Sequence, residues 1–421
     1  MSVLATNKWK VSRAFKYVGS GTTPKSGELE YYEEGSINWL ITGDLKDGEI
    51  TRITKKITPK AIADYPTLKV YPPGSIVIAM YGATIGKVGL LLESSTVNQA
   101  CCVLVPDRKL LPRYALYYFL ASKQLLIDQG VGGGQPNISQ EIVKSFKITV
   151  PEISEQRRIV DYLDEKTVII DQMLTGKNQT LQNLSELRQT IITDAVTGRE
   201  PDVSDVSQTG IPWIGRIPSH WQIKKIKHVS KVKARIGWQS LTTDEYLDEG
   251  PFLVTGTDFR NGVVDWRSAA HVSDLRWAID SNIQLEENDL LLTKDGTIGK
   301  VAVVKNLAGK ATLNSGVFVV RAIDGRYNPQ YLYYVLNSGV FTGFIDYNKA
   351  GSTIVHLYQK TFVDFAFPMP PLDEQNEIVS RLDEKLTRTD EAIIRVKNSV
   401  DLLEEYRKSL ISNVVGGKVE V

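Results

Sequence analysis

The sequence predicts an α+β protein with an internal repeat, in which two β-rich globular parts that also contain helices are each followed by one long helix. Three observations predict this fold class. The segment SEQRRIVDYLDEK at 154–166 returns as DEQNEIVSRLDEK at 373–385, and apolar residues recur at heptad spacing after each copy. Before each copy, short apolar runs interrupted by glycine are typical of strands joined by turns.

The repeat covers nearly the whole chain, so each element is expected twice. At an offset of 219 positions, the match runs without a gap from Glu155 and Glu374 to Gly198 and Gly417. Further upstream, GATIGKV parallels GTIGKV, TVNQ parallels TLNS and WKVSRAFKYV parallels WQIKKIKHV. The expected segments are a first globular domain at 1–152, a first long helix at 153–198, a linker rich in Gly, Pro and Ser at 199–220, a second globular domain at 221–371 and a second long helix at 372–421.

Both long segments are predicted to be helices that pack together, because most residues of their heptad seam are apolar. The seam positions are Leu163, Thr167, Ile170, Leu174, Lys177, Leu181, Leu184, Arg188, Ile191 and Ala195, and Leu382, Leu386, Thr389, Ile393, Val396, Val400, Leu403, Arg407, Leu410 and Val414. Further apolar residues lie off the seam and are candidates for a second face that docks a partner protein: Ile159, Ile169, Met173, Ile192, Ile378, Ile394 and Ile411.

The globular parts contain two matching pairs of patterns. GSIVIAMYGATIGKVGLLL and NDLLLTKDGTIGKVAVV predict strand–turn–strand units with glycine at the turn. RYALYYFLASKQLLIDQ and QYLYYVLNSGVFTGFI predict helices rich in aromatic residues. The glycine-rich stretch GVGGGQP at 130–136 predicts a flexible loop.

The composition indicates an intracellular globular protein. With 421 residues, 42% of them apolar, the chain is long enough for two or more domains with their own cores. It has no apolar run of about 18 residues, as a membrane span requires, and no N-terminal stretch typical of a signal peptide. Cys101 and Cys102 are adjacent in an apolar run, and we expect a buried strand in a reducing cytoplasm. A cytoplasmic protein without membrane contact is therefore expected.

The net charge of +1 conceals an alternation along the chain. Residues 1–150 carry a net +6, 151–209 carry −5, 210–372 carry +3 and 373–421 carry −3. The basic blocks suit a polyanion, and the acidic blocks suit another protein.

No constellation of catalytic residues stands out. GATIGKV is too short for a phosphate loop and lacks a Ser or Thr after Lys87, so a hairpin turn explains it better. The four histidines are scattered without the spacing of metal ligands. The LDEK segments superficially fit half of a nuclease site, but they lie on the heptad helices, where a solvated helix face is the simpler interpretation.

A binding function has more support. KKIKHVSKVKAR at 224–235 has six Lys or Arg residues and no acid, and RITKKITPK at 52–60 has four. Such clusters suit phosphate oxygens, although either can also be an ordinary solvated face. Candidates for phosphate contact are Lys55, Lys56, Lys224, Lys227, Lys231, Lys233 and Arg235; candidates that contact base edges, or simply pack, are Trp39, Thr42, Trp238, Gln239, Thr255 and Thr257.

Longer segments resemble one known family, in the same order and twice over. These are GIPWIGRIPSHWQIKKIKHV, GTTPKSGELEYYEEGSINWLITGDLKDGEI with its counterpart RIGWQSLTTDEYLDEGPFLVTGTDF, and the starts of both long helices. Over essentially its whole length, the chain resembles the specificity subunit of type I restriction–modification enzymes.

This resemblance implies that each globular part is a target-recognition domain, similar to that of DNA adenine methyltransferases. The two long helices would form an antiparallel coiled coil that separates the domains in a pseudo-twofold repeat. The subunit would be non-catalytic and bind no cofactor. It would assemble with two modification subunits, which use S-adenosylmethionine, and with restriction subunits, which use ATP and Mg²⁺. The complex would recognise a bipartite, asymmetric site in double-stranded DNA, with the helices fixing the length of its spacer.

If the two domains recognise different half-sites, residues shared by both copies cannot discriminate between bases. Lys87 and Lys300 in the shared GKV turns are then phosphate contacts at most. Discriminating residues are expected where the copies differ, at 22–25 against 235–239 and at 39–44 against 254–258. These segments add Thr22, Thr23, Lys25, Asp44 and Asp258 to the candidates. An enzyme with an unrecognised site and a scaffold that never contacts bases are the alternatives.

Overall fold

The computed structural model describes residues 8–131, 137–199, 205–235, 241, 243–349 and 356–421. The chain divides into two compact units. Unit 1 is Met1–Asn178 with Asn398–Val421, and unit 2 is Gln179–Lys397. Each unit therefore contains one globular part, part of the first long helix and part of the second. Among the described residues, no helix combines the length and the apolar character that crossing a membrane requires.

Unit 1 contains the following elements in chain order: β1 (Lys8–Lys10), α1 (Val11–Ala14), β2 (Phe15–Ser20), β3 (Ile37–Leu40), β4 (Gly48–Ile50), β5 (Lys56–Ile57), α2 (Pro59–Asp64), β6 (Ile76–Ala79), β7 (Val88–Leu91), β8 (Thr96–Val97), β9 (Cys101–Pro106), α3 (Pro112–Ala121), α4 (Lys123–Ile127), α5 (Gln140–Ser145), β10 (Lys147–Thr149) and the first part of α6 (Ile153–Thr197). The strands form a five-stranded sheet β2-β9-β6-β7-β4, a three-stranded sheet β5-β3-β8 and the pair β1-β10.

Unit 2 continues with β11 (Val206–Gln208), β12 (Arg216–Pro218), β13 (Gln222–Lys225), α7 (Ile226–Val229), β14 (Ser230–Ala234), β15 (Leu247–Val254), β16 (Phe259–Arg260), β17 (Val263–Val264), β18 (Ala270–His271), α8 (Asp274–Ala278), β19 (Leu290–Thr293), β20 (Val301–Val303), β21 (Ala311–Leu313), β22 (Val317–Ala322), α9 (Pro329–Leu336), α10 (Gly339–Lys349), α11 (Gln359–Phe362), β23 (Ala366–Met369) and the first part of α12 (Leu372–Val415), whose last part belongs to unit 1. Its sheets have the orders β14-β22-β19-β20-β17-β16, β18-β15-β21, β13-β23 and β11-β12.

The two units share one plan. In each, a hairpin provides two neighbouring strands of the main sheet, with Val77 opposite Gly89 in unit 1 and Leu291 opposite Ala302 in unit 2. In each, the three-stranded sheet contains one parallel pair, β3 with β8 and β15 with β21. Both predicted strand–turn–strand units are thereby confirmed. Glycine is required at their turns because Gly86 and Gly299 have φ of 73° and 89°, a region that side chains disfavour.

The aromatic-rich helices are shorter than the sequence suggested. The first predicted helix is divided into α3 and α4, and the second into α9 and α10. The break in the second follows Leu336, where the Ser338 hydroxyl donates to the Val335 carbonyl at 2.7 Å and competes with continued helical bonding. Tyr114 of α3 and Tyr331 of α9 lie inside the main cores and are fully buried.

The helices α6 and α12 contain 45 and 44 residues, which corresponds to about 67 Å each at about 1.5 Å per residue. All twenty predicted seam positions are buried or half-buried, and none is exposed. The seam is therefore confirmed as an interior surface. At its two arginines, ion pairs join the helices: Arg407 contacts Asp171 at 2.9 Å in unit 1, and Arg188 contacts Asp390 at 2.7 Å in unit 2.

These ion pairs are equivalent contacts related by the repeat, because Asp171 corresponds to Asp390 and Arg188 to Arg407. Advancing along α6 from Asp171 to Arg188 corresponds to moving back along α12 from Arg407 to Asp390. The two helices therefore run antiparallel.

The linker is more structured than its composition predicted. Its described part, from residue 205, forms the antiparallel pair β11–β12, and Ile214 and Ile217 are buried in the core of unit 2. Trp213 packs edge-on against Phe344 and donates from Nε1 to the Ala366 carbonyl at 3.1 Å. A glycine- and proline-rich segment can thus still supply core residues at a few positions. Of the predicted glycine-rich loop, residues 132–136 lie outside the described part of the chain.

Candidate nucleic-acid interface

A short 3₁₀ turn follows the central strand of each three-stranded sheet, and a buried aspartate holds it. In unit 1, Asp44 is 8% exposed. Its carboxylate accepts from the Ile41 backbone N–H at 3.1 Å and from the Thr54 hydroxyl at 2.9 Å. Asp44 was predicted to discriminate between bases, but its oxygens are occupied inside the turn. We therefore assign it to holding the turn, while Thr42 on the same turn is half-buried.

Asp258 does the same in unit 2, where it is 4% exposed. It accepts from the Thr255 backbone N–H at 2.7 Å, from the Thr255 hydroxyl at 2.8 Å and from the Ser268 hydroxyl at 3.1 Å. The two aspartates are thus equivalent residues with one structural task. Thr257, which lies between Thr255 and Asp258 in this turn, is exposed.

The segment that follows β2 is fastened beside the first turn. The Thr22 N–H donates to the Val97 carbonyl at 3.2 Å, and Trp39 donates from Nε1 to the Thr22 carbonyl at 3.3 Å. The Thr23 hydroxyl donates to the Gln99 side chain, and the Lys25 N–H donates to the Tyr65 hydroxyl at 3.2 Å. The structure therefore brings together four predicted residues: Thr22, Thr23, Lys25 and Trp39. Trp39 itself is 4% exposed, so it supports this surface rather than forming it.

Lysines surround the small aromatic core beneath this surface. Lys55 lies over the Trp39 ring at 5.9 Å and Lys60 over the Tyr31 ring at 5.9 Å, both within cation–π range. Lys60 also pairs with Asp64 at 2.7 Å, and a hydrogen bond and the charge of this carboxylate raise the pKa of Lys60. Lys55 and Lys56 are exposed on or beside β5. These two lysines extend the surface with positive charge.

In unit 2, the residue at the end of β14 is an arginine that turns inward. Arg235 is 2% exposed. It donates from Nε to the Leu313 carbonyl at 2.8 Å and from Nη2 to the Thr312 hydroxyl at 3.2 Å. Burial, with a smaller effect from Arg276, lowers the pKa of its guanidinium. Arg235 was predicted to contact phosphate, but as a buried residue it anchors β14 to β21 instead.

The basic stretch at 224–235 does not form one patch. Lys225 and Lys227 pair with Asp364 at 3.3 and 2.8 Å, and these two lysines lower the pKa of that carboxyl. Lys224 is half-buried on β13, which pairs with the strand that leads into α12. Lys227 is exposed but paired in this way, whereas Lys231 and Lys233 are exposed on the edge strand β14 of the main sheet. The sequence of the stretch did not reveal this pairing, because the acid, Asp364, lies more than a hundred positions later in the chain.

The remaining predicted residues are distributed as follows. Lys87 is half-buried and Lys300 exposed, on the equivalent hairpins β6–β7 and β19–β20. Thr255 is half-buried at the start of its turn. Trp238 and Gln239 lie outside the described residues.

Sequence reasoning missed two positions at the ends of the parallel strands β8 and β21. The Asn98 N–H donates to the Leu40 carbonyl, and the Asn314 N–H donates to the Val254 carbonyl, each at 2.9 Å. The next residues are Gln99, which is exposed beside Thr23, and Ser315, which is half-buried. The signal was available, because TVNQ and TLNS share their asparagine and differ at the final residue.

The residues predicted to dock a partner separate into two groups. Ile159, Ile192, Ile378 and Ile411 are at most 2% exposed and belong to the two main cores, so they offer no free surface. Each helix end packs a second face onto its globular part, which the heptad pattern alone did not show. Ile169, Met173 and Ile394 are 42%, 52% and 55% exposed.

The aspartates of the two LDEK segments contact α3 and α9. Asp164 accepts from the Tyr117 hydroxyl at 2.6 Å and from Nη2 of Arg113 at 2.8 Å. Asp383 accepts from the Tyr334 hydroxyl. The prediction of a simply solvated helix face was therefore wrong for Asp164, which is half-buried, whereas Asp383 is exposed as predicted and makes this one contact to α9. Among the described residues, no group of three or more His, Cys, Asp or Glu side chains is arranged to hold a metal ion.

Comparison with known proteins agrees with this architecture. The model of the family described as type I restriction modification DNA specificity domain matches residues 9–183 and again 218–400. The EcoR124I/EcoR124II specificity subunit of Escherichia coli is 30% identical over 189 residues, which are 43% of this chain and 45% of that protein. The MjaIX specificity subunit of Methanocaldococcus jannaschii is 23% identical over 420 residues, covering 96% of this chain and 91% of that protein.

A solved structure has the same fold. It is described as the structural basis underlying complex assembly and conformational transition of the type I R-M system, and one of its chains superposes with a TM-score of 0.66 at 16% identity, over 97% of each chain. Two matches to one family model, one in each half of the repeat, account for most of the sequence. The chain therefore belongs to the type I restriction modification DNA specificity domain family.

Proposed function

We propose that this chain is the DNA specificity subunit of a type I restriction–modification complex. Each globular part recognises one half of a bipartite, asymmetric site in double-stranded DNA. The surface that contacts DNA includes the 3₁₀ turn after β3 or β15 and the segment that ends β8 or β21. Exposed lysines such as Lys55, Lys56, Lys231 and Lys233 contact phosphates, which contributes affinity without sequence information.

The repeat is the observation that carries this proposal. One scaffold, with its turn held by Asp44 or Asp258, occurs once in each unit, whereas the exposed residues around it differ. Gln99 in unit 1 stands where unit 2 has Ser315. A conserved frame with variable surface residues is what two related domains need if they recognise different half-sites.

The chain acts without catalytic activity of its own. Two modification subunits, which use S-adenosylmethionine, and restriction subunits, which use ATP and Mg²⁺, carry out the chemistry in this proposal. The exposed apolar residues Ile169, Met173 and Ile394 on the long helices are candidate contacts for the modification subunits. The acidic balance of both helical segments suits the same role.

A segment exchange tests recognition. Residues 20–60 are replaced by the matching segment of a specificity subunit with another target, and methylated sites are mapped after expression with the modification subunits. We expect the first half-site to change and the second to stay. Gel-shift comparison of specific and random duplexes provides the control. Equal binding to both would favour a scaffold that never contacts bases.

A second experiment tests the helices as a spacer. Inserting one heptad after Gln179 and one after Ser399 keeps the seam in phase and lengthens both helices by about 10.5 Å. Since one base pair rises about 3.4 Å, the non-specific spacer should lengthen by up to about three base pairs. An unchanged spacer in the mapped sites would contradict this part of the proposal.

A further inference from the structure

A buried glutamine fastens each long helix to its own globular part. In unit 1, Gln156 lies in the first turn of α6 and is fully buried. Its Nε2 donates to the carbonyls of Lys109 and Pro151, both at 2.8 Å, and its Oε1 accepts from the Leu111 N–H at 2.8 Å. One amide thus joins the helix to the loop that precedes α3.

The same contact occurs in unit 2 at the equivalent residue. Gln375 is fully buried. Its Nε2 donates to the Pro370 carbonyl at 2.8 Å, and its Oε1 accepts from the Asn328 N–H at 2.9 Å, just before α9. Two copies that share only part of their sequence have kept one buried polar contact. This explains why a glutamine occupies the same position in both of the repeated segments.

A second polar contact follows about two helical turns later, where Asp164 accepts from Tyr117 and Asp383 from Tyr334. Between the glutamine and the aspartate, apolar residues of the helix enter the core, with Ile378 and Leu382 each 1% exposed in unit 2. We call this set of contacts the joint of each unit. It attaches the helix along a length rather than at a single point.

The joint permits one orientation of the helix on its globular part. A buried amide meets all its partners in only one geometry, and breaking them leaves unpaired polar groups in the core. A joint made of apolar contacts alone would tolerate small rotations more easily, because such contacts are not directional.

Small rotations matter for the proposed spacer. A domain of about 150 residues has a radius of gyration of about 15 Å. A rotation of about 13° at the joint therefore moves a recognition surface at that distance by about 3.4 Å, the rise of one base pair. The stiffness of the joint is then as important for spacer length as the length of the helix.

We propose that Gln156 and Gln375 are positioning residues that determine how strictly the complex rejects DNA sites whose spacer is one base pair too short or too long. This inference rests on the proposed function and extends it from the helices to their attachment points.

The test uses Gln156→Leu and Gln375→Leu in the full chain, assembled with its modification subunits. Leucine has a similar size but makes no hydrogen bonds. The matched control is Gln182→Leu, which removes an exposed contact to Glu186 on the same helix α6. Initial methylation rates are measured on duplexes with both half-sites intact and with the correct spacer, one base pair fewer or one more.

We expect the ratio of rates on correct and incorrect spacers to fall by about tenfold in each joint variant, equivalent to about 1.4 kcal/mol of discrimination. The base preference within each half-site should stay unchanged, and Gln182→Leu should behave as the parent. If a joint variant is slower on all three duplexes in equal proportion, the glutamine only stabilises the fold and the inference is overturned.

Thermal unfolding of the chain accompanies each assay. Should a leucine variant fail to fold, Tyr117→Phe and Tyr334→Phe replace it, since each removes one hydroxyl from the joint. The expected change in ratio is then smaller but of the same sign, and an unchanged ratio in these folded variants rejects the inference. If the parent complex methylates duplexes with intact and with altered half-sites equally well, the proposed function itself is contradicted.

Discussion

Substitutions of Asp258 distinguish two roles of its carboxylate, holding the turn or contacting a base, because the two roles predict opposite results. If Asp258 holds the turn, Asp258→Asn should be tolerated, because the amide oxygen can still accept from Thr255 and the amide nitrogen can donate to the Ser268 hydroxyl. Asp258→Ala removes all three hydrogen bonds. If Asp258 instead contacts a base, for example a cytosine amino group, asparagine should change which base is preferred.

The hydrogen bonds of Asp258 determine how much each substitution should lower the free energy of unfolding. A hydrogen bond to a charged group contributes about 1.5–3 kcal/mol, and a neutral one about 1 kcal/mol. Because three bonds share one carboxylate and are not additive, we expect Asp258→Ala to lower the free energy of unfolding by about 3 kcal/mol. For Asp258→Asn, which exchanges charged for neutral bonds, we expect about 1 kcal/mol.

The assay combines thermal unfolding of the chain with methylation of a duplex pool randomised at the second half-site, in complex with modification subunits. Asp258→Asn should keep the parental base preference, and Asp258→Ala should weaken recognition of the second half-site alone. Asp44→Asn and Asp44→Ala repeat the experiment for the first half-site. A new base preference in either asparagine variant would refute the assignment of these residues to the turns.

Three further predictions follow from burial and pairing. Ile378→Ala should cost about 2–4 kcal/mol of unfolding free energy because the residue is buried, whereas exposed Ile394→Ala should stay within about 0.5 kcal/mol; equal costs in thermal unfolding would contradict the assigned faces. A double-mutant cycle on Arg188→Ala and Asp390→Ala should give a coupling of about 0.5–1 kcal/mol in the free energy of unfolding, which decreases in high salt. No coupling at low salt would show that this ion pair does not stabilise the seam. Lys55→Ala should reduce the salt dependence of DNA affinity by about one phosphate contact without changing base preference, as titrations at several salt concentrations would reveal.

The success of sequence-based prediction differed between types of feature. The strand–turn–strand units and the heptad seam were correct, because each depends on residues close together in the chain and on one repeating period. The faces off the seam were harder. Ile159 and Ile394 have the same apolar character, yet one is buried beneath a globular part and the other is exposed. Only the packing of each unit onto its helix distinguishes them.

The prediction of which basic residues lie unpaired on the surface was also only partly correct. Lys227 seemed free in a stretch without acids, but the fold brings Asp364 to 2.8 Å from it. Arg235 ends the same stretch and was expected on the surface, but it lies inside, bonded to the Leu313 carbonyl. A count of charged residues along the chain cannot show such pairings, because the partners lie far away in sequence.

The sequence by itself determined the duplication, the two long helices with their shared seam, and the family to which they are similar, since identity between copies and periodicity are properties of one dimension. The tertiary structure alone decided which polar groups are used internally: Asp44 and Asp258 in their turns, and Gln156 and Gln375 in their joints. The physical reason is that a buried polar group must find partners wherever the fold provides them, and here most partners come from segments many residues away.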